Sequence, residues 1–192
     1  MGRPSAPVHR AAIERLSREG HPHDRDSAAR DARLLQRRQV MRVLLAVDPS
    51  PCSDAAVRQV IERFTPADTE VRVVHAVEWM KEMPLCFQYG QGPAAGHDVV
   101  ESRNKSFERA ELLVARIARQ LEAAGFHVSV STPDADPRHG IIDEAASWRA
   151  DLVMMGSHGR HGLDRLLLGS VAEAVLRHAP CSVQIVREPL AA

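Results

Sequence analysis

From residue 41 onward, five short strand-like segments alternate with helix-like segments, and this alternation limits the chain to few folds. Two of the five, 43–47 and 152–155, are continuously apolar, as in strands that are buried on both faces. Right-handed crossovers between parallel strands place helices on both faces of a sheet. The pattern therefore predicts an α/β domain with a doubly wound, five-stranded parallel sheet. The predicted strands are 43–47, 71–77, 126–131, 152–155 and Ser182–Val186.

Helical periodicity fills most of the segments between the predicted strands. Apolar residues at spacings of three and four follow Ser53, which is the expected N-cap of the first helix. Gly125 stands where a glycine commonly follows the end of a helix. Residues 78–101 hold three glycines and two prolines and are expected to be irregular. The other predicted helices are 102–124, a short helix around 141–146, and Ser170–His178.

The charge is unevenly distributed along the 192 residues, although the formal net charge is zero. Residues 1–40 carry nine arginines against five acids, so the rest of the chain is mildly acidic, which argues against nucleic-acid binding. The same segment has low hydrophobicity and is predicted to be a disordered extension. Alternatively, Met41 is the true translational start. The expected domain is 41–188, followed by a tail at 189–192.

Cysteine usage and hydropathy indicate the compartment. Cys52, Cys86 and Cys181 are far apart and form no C-x-x-C pair, which argues against a disulfide framework and a zinc site. No apolar run approaches the ~18 residues of a membrane span. No apolar signal-peptide core is present near the N-terminus. A cytoplasmic protein without a membrane partner is expected.

A glycine-rich segment follows the fourth predicted strand with the spacing Gly156-x2-Gly159-x9-Gly169-Ser170. Glycine lets the backbone approach an anion closely, and a helix beginning at Ser170 presents free N–H groups and the positive end of its dipole. The spacing predicts a phosphate-binding loop, in which Arg160 could neutralise charge or remain solvated. The alternative is a solvent-exposed loop, although so long a connection without a role is uncommon in a compact domain.

Asp48 ends the first predicted strand. Because ligands of such sheets collect at the carboxyl ends of the strands, Asp48 and Gly156 are expected to converge. The carboxylate could accept hydrogen bonds from the ribose hydroxyls or the adenine edge of a nucleotide. Alternatively, the aspartate simply begins a turn. Its pairing with the glycine loop favours the nucleotide role.

The sequence contains no recognisable catalytic or metal-binding arrangement. His158 and His161 have H-x-x-H spacing, but no third ligand is in obvious reach, so no metal site is predicted. His75 is interpreted as a core histidine with a satisfied hydrogen bond. There is no P-loop motif, no G-x-G-x-x-G fingerprint and no nucleophile–base pair. No catalytic residue is assigned, and no lysine is expected at a terminal phosphate.

Three segments together resemble the universal stress protein family. They are MRVLLAVD, VVHAVE and ASWRADLVMMGSHGRHGLDRLLLGSVAEAVLRHAPCSVQIV, and the last holds the spacing G-x2-G-x9-G-[ST] without a gap. The resemblance extends over about residues 41–187 and leaves out the N-terminal extension. The glycine spacing is similar to that of the ATP-binding branch of the family.

This resemblance implies a strand order of 3-2-1-4-5 and the binding of ATP, accompanied by Mg2+. It also implies a homodimer through the last strand, Ser182–Val186, whose open edge could pair with a second copy. The residues implied at the nucleotide are Ala46, Asp48, Ala76, Gly156, Ser157, His158, Gly159, Arg160, Gly169, Ser170 and Val171.

The expected function is that of an ATP-binding stress-response regulator, a nucleotide-dependent binding module with an unidentified protein partner. Hydrolysis is expected to be slow, because no strong general base is found. The alternatives are a genuine ATPase and a nucleotide-free dimeric scaffold. Valine at Gly156 or Gly169 is expected to abolish ATP binding without unfolding the sheet.

Overall fold

The computed structural model describes residues 40–82, 96–158 and 168–187. The extension predicted for residues 1–40 lies outside these ranges except for Val40, and the tail predicted for 189–192 lies outside them as well. The described residues form one sheet with helices on both of its faces.

The sheet has five parallel strands in the order β3-β2-β1-β4-β5. Both the doubly wound architecture and the strand order are therefore confirmed. The last strand has its predicted bounds, while the first two begin two residues earlier than predicted and end sooner. The strands are β1 Met41–Ala46, β2 Thr69–Val74, β3 His127–Ser131, β4 Leu152–Gly156 and β5 Ser182–Val186.

Four α-helices lie in the described part of the chain: α1 Pro51–Arg63, α2 Gly96–Ala123, α3 Pro137–Trp148 and α4 Ser170–His178. Short 3-10 turns occur at Pro66–Asp68 and Trp79–Glu82.

Two of the helix boundaries differ from the prediction. Ser50, not Ser53, is the N-cap of α1, since its side chain accepts a hydrogen bond from the Ser53 N–H and Pro51 occupies the first helical position. Residues 96–101, predicted to be irregular, are helical. Gly96 stands at the first position of α2, where a glycine interrupts no helix interior. By contrast, Gly125 has the positive φ of 94° that its position after the helix predicts.

The central strand β1 contributes to both apolar layers because successive side chains of a strand point to opposite faces. Val43 and Leu45 pack into the layer that includes residues of α1 and α2. Leu44 and Ala46 pack into the layer that includes residues of α3 and α4. All four are buried, so the sheet is covered on both faces.

Strand register determines which residues meet at the carboxyl edge. Ala46 at the end of β1 is paired with Val74 of β2 on one side and with Met155 of β4 on the other. The chain runs from β1 outward to β2 and β3 and then crosses to β4, so β1 lies at the reversal of strand order. This is the location at which open α/β sheets form ligand crevices.

Candidate functional site

A cavity of about 770 Å³ opens over the carboxyl ends of β1, β2 and β4. Its wall contains every described residue of the predicted set, while Gly159 and Arg160 lie outside the described residues. The predicted residues on the wall are Ala46, Asp48, Ala76, Gly156, Ser157, His158, Gly169, Ser170 and Val171.

Asp48 lies on the cavity wall, half-buried and held by two serines of the turn that begins α1. Its Oδ1 accepts a hydrogen bond of 2.5 Å from Ser50 Oγ. Its backbone N–H donates to Ser53 Oγ over 3.1 Å. Asp48 also begins a turn, because its carbonyl oxygen accepts from the Ser50 N–H over 2.8 Å. Both interpretations of this residue are therefore compatible with its position.

Ser157 joins three parts of the site. Its N–H donates to the Val186 carbonyl oxygen at the end of β5 over 2.7 Å. Its own carbonyl oxygen accepts from the Gly169 N–H over 2.9 Å, so the two ends of the glycine loop are bonded to each other. Ser157 Oγ lies 3.0 Å from His158 Nδ1. The start of the loop is thus fixed to the sheet and to the next helix.

The N-terminus of α4 supplies backbone donors to the cavity. Gly169 is the N-cap and gives no side-chain hydrogen bond, and the first intrahelical bond runs from the Glu173 N–H to the Gly169 carbonyl oxygen. The amides of Ser170, Val171 and Ala172 therefore have no acceptor within the helix. All three residues line the cavity. Together with the positive end of the helix dipole, these amides can bind an anion.

The two described glycines of the loop lie where the chain is closely packed. A Cβ on Gly156 would lie 2.8 Å from Cys52 Cβ and 2.9 Å from the Cys52 carbonyl carbon. A Cβ on Gly169 would lie 3.1 Å from the Ser157 carbonyl oxygen. Valine at Gly156 is therefore expected to strain the packing of β4 against the first turn of α1, in addition to any effect on ligand binding.

Four polar side chains on the wall were missed by the sequence analysis: Glu78, Lys81, Ser106 and Arg109. They come from the 3-10 turn Trp79–Glu82, the residue before it, and α2. A signal was present in α2, where Ser106, Arg109, Ala110 and Leu113 recur at helical spacing.

The cationic side chains of this group have contacts of their own. Lys81 Nζ lies 2.7 Å from Glu78 Oε2 and 3.9 Å from Asp136 Oδ2. Arg109 donates through Nε to the Lys105 carbonyl oxygen and through Nη2 to Ser106 Oγ, over 3.2 and 3.3 Å. Lys81 therefore lies on the cavity wall, while the expectation that no lysine serves a terminal phosphate stays a prediction.

His75 lies at the cavity rather than deep in the core, and it is half-buried. Its Nδ1 is 2.7 Å from the Val47 carbonyl oxygen, which can only accept, so Nδ1 carries the proton. The predicted satisfied hydrogen bond is confirmed.

Within 40–82, 96–158 and 168–187, no group of three or more histidine, cysteine, aspartate or glutamate residues could hold a metal ion. The described helices include none with the length and apolar character of a membrane span. His161 of the H-x-x-H pair lies outside the described residues.

Comparisons with known proteins agree with this architecture. Universal stress protein A homolog 2 of Coxiella burnetii is 37% identical over 146 residues, which span 76% of this chain and 92% of that protein. The solved structure of MJ0577 from Methanocaldococcus jannaschii superposes with a TM-score of 0.65 at 26% identity, over 80% of this chain and 99% of the other.

A universal stress protein family member from Arabidopsis thaliana, solved with AMP bound, shares the fold at 16% identity. Its TM-score is 0.53, and the match covers 78% of this chain and 93% of that one. The sequence model described as "Universal stress protein family" matches residues 39–187, and the chain belongs to this family.

Proposed function

We propose that this chain binds ATP, accompanied by Mg2+, in the cavity at the carboxyl edge of the sheet, and that it acts as a nucleotide-dependent binding module in a stress response. One observation carries the proposal. The residues at the start of α4, whose amides have no acceptor within the helix, line the same cavity as Asp48, at the carboxyl ends of the neighbouring strands β1 and β4.

The composition of the wall fits the three parts of a nucleotide. Apolar residues, among them Ala46, Ala76 and Met155, suit the base. The Asp48 carboxylate suits the hydroxyls of the ribose or the amino group of adenine, because it can only accept. The amides at the N-terminus of α4 suit the phosphates. A volume of about 770 Å³ is ordinary for a site of this kind.

Mg2+ would accompany the triphosphate rather than bind to the protein alone. Such ions keep several waters and are held by substrate phosphates with one or two carboxylates. Among the described residues, Asp48 and Glu78 are the acidic ones on the wall, and both already have hydrogen-bond or ion-pair partners. This donor set fits a nucleotide-borne ion.

Slow hydrolysis follows from the same contacts. A general base must be free to take a proton from the attacking water. Asp48 accepts from Ser50, and Glu78 pairs with Lys81 at 2.7 Å. Glu78 is thus held by its ion pair, and the second oxygen of Asp48 is assigned to the nucleoside rather than to an attacking water, which favours a binding module over an ATPase.

We also propose a homodimer through β5. This strand forms one edge of the sheet and is bonded to β4 on one side. An edge strand presents unpaired backbone groups that a second copy can meet across a two-fold axis. Sedimentation of the purified protein should give twice the chain mass, and a monomer at micromolar concentration would contradict this part of the proposal.

The central experiment is to identify the ligand. Freshly purified protein is denatured and the released small molecules are analysed by mass spectrometry, while stripped protein is titrated calorimetrically with ATP and AMP, with and without Mg2+. We expect ATP in the released fraction and saturable binding in the titration. If no nucleotide is released and no binding is seen in the titration, the nucleotide-free scaffold is favoured. Rapid turnover of ATP by the isolated protein would favour the ATPase.

A further inference from the structure

Ser50 connects the two loops that form the proposed nucleotide site. It is buried, with 5% of its surface exposed. Its Oγ donates to Asp48 Oδ1 over 2.5 Å and lies 3.3 Å from the His158 carbonyl oxygen. Asp48 follows β1 and His158 follows β4, so this hydroxyl contacts both loops at the switch in strand order.

The bond to Asp48 determines which carboxylate oxygen is available. Within the described part of the chain, Ser50 is the side-chain partner of this carboxylate. With Oδ1 engaged, Oδ2 is left for a ligand. A hydrogen bond to an ionised acceptor is stronger than one between neutral groups, so it holds the carboxylate in one rotamer.

Ser50 also stabilises α1, and this role must be separated from its hydrogen bond to the Asp48 carboxylate. As the N-cap of α1, its Oγ accepts from the Ser53 N–H over 3.2 Å. Replacing a capping serine by alanine costs about 1 kcal/mol, whereas glycine at the same position costs only a few tenths. Glycine therefore removes the hydroxyl while largely preserving the cap.

We propose that Ser50 is a positioning residue for the nucleoside: its hydroxyl fixes the Asp48 carboxylate so that the second oxygen faces the ligand. This inference rests on the proposed function. It assigns to Ser50 no contact with the nucleotide, and it predicts that the effect of Ser50 on affinity passes entirely through Asp48.

The test is a calorimetric titration of ATP and AMP into Ser50→Gly, Ser50→Ala, Asp48→Ala and the double variant Asp48→Ala/Ser50→Gly. We expect Ser50→Gly and Ser50→Ala to weaken both nucleotides equally, by about tenfold. Thermal unfolding should separate the two, since alanine at this capping position costs more stability than glycine. In the Asp48→Ala background, Ser50→Gly should cause no further loss.

A matched control is Ser147→Ala, which removes the exposed serine hydroxyl that donates to the Glu144 carbonyl oxygen on α3, and its affinity should equal that of the wild type. Unchanged affinity in Ser50→Gly would overturn the inference, and so would an additive loss in the double variant or a loss confined to ATP. If the wild type bound neither nucleotide, the proposed function itself would fail. If it bound both while the Ser50 variants matched it, only the positioning role would fail.

Discussion

Gly156 and Cys52 are in such close contact that a single added carbon at Gly156 would lie 2.8 Å from Cys52 Cβ. The end of β4 is thereby seated against the first turn of α1. We predict that Gly156→Ala lowers the free energy of unfolding by about 1–3 kcal/mol, the usual cost of overpacking, and that Gly156→Val lowers it further. Urea denaturation followed by circular dichroism measures the change.

The control for this prediction is Gly169→Ala. There the added carbon would lie 3.1 Å from the Ser157 carbonyl oxygen, a less severe contact than that at Gly156. We expect a smaller loss of stability. If Gly156→Ala had the same free energy of unfolding as the wild type, the prediction would be wrong, because α1 would then move away from β4 without loss of stability.

Removal of the Asp48 side chain should weaken ATP binding. The loss is expected at ~1–3 kcal/mol, the scale for deleting one partner of a buried polar contact. Calorimetric titration measures it. The control is Asp54→Ala on α1, which removes an exposed carboxylate 3.8 Å from Arg116 and should leave affinity unchanged. Equal affinities for wild type and Asp48→Ala would remove this residue from the proposed site.

Reversal of the charge at Arg109 should lower the affinity for nucleotides. A negative side chain on the cavity wall repels an anionic ligand, at a cost of about 1 kcal/mol at typical effective dielectric constants and separations. The affinity of Arg109→Glu should recover partly at high salt, which screens the repulsion. Arg119→Glu, which places the same charge on an exposed part of α2, should bind as the wild type does. An equal loss of affinity in both variants would mean that the net charge of the protein, and not the position of Arg109 on the cavity wall, causes the effect.

Glu144 links α3 to the edge of the sheet and should contribute to stability. Its Oε1 lies 2.8 Å from Arg72 Nη1, and its Oε2 accepts from Ser131 Oγ over 2.9 Å. We expect Glu144→Ala to lower the free energy of unfolding by about 1–3 kcal/mol, because both partners are only partly exposed. Urea titration measures the loss.

The comparison for Glu144 is Glu173→Ala on α4. Glu173 pairs with Arg177 at 2.7 Å, but both side chains are more than half exposed. Surface pairs of this kind contribute little, so the variant should unfold near the wild-type midpoint. Equal losses in the free energy of unfolding for the two variants would contradict the prediction that the Arg72–Glu144 pair stabilises the fold more than the exposed pair does.

Features that depend on neighbouring residues in the sequence could largely be predicted. Alternating apolar segments predicted the parallel sheet, and Gly125 predicted the left-handed end of α2. The α1 cap was misassigned although the signal was present, since Ser50 directly precedes a proline, the residue favoured at the first helical position.

The residues of the candidate site also fall into those that could be predicted from the sequence and those that could not. Asp48 and Gly156 could be expected to approach each other because they lie at the carboxyl ends of two strands, and those ends share an edge of the sheet. Lys81 and Arg109 could not, because their position on the wall depends on how α2 and the 3-10 turn pack over that edge. The crowding of Gly156 by Cys52 was equally invisible, since it joins residues more than one hundred positions apart.

The start of α4 has a further consequence. Gly169 caps this helix without any side-chain hydrogen bond, so its first amides lack the acceptor that a serine or aspartate would provide. An anionic group bound there would complete the turn in place of that acceptor. Occupancy of the crevice and ordering of this helix end would then be one thermodynamic event, visible as slower amide hydrogen exchange at residues 170–172.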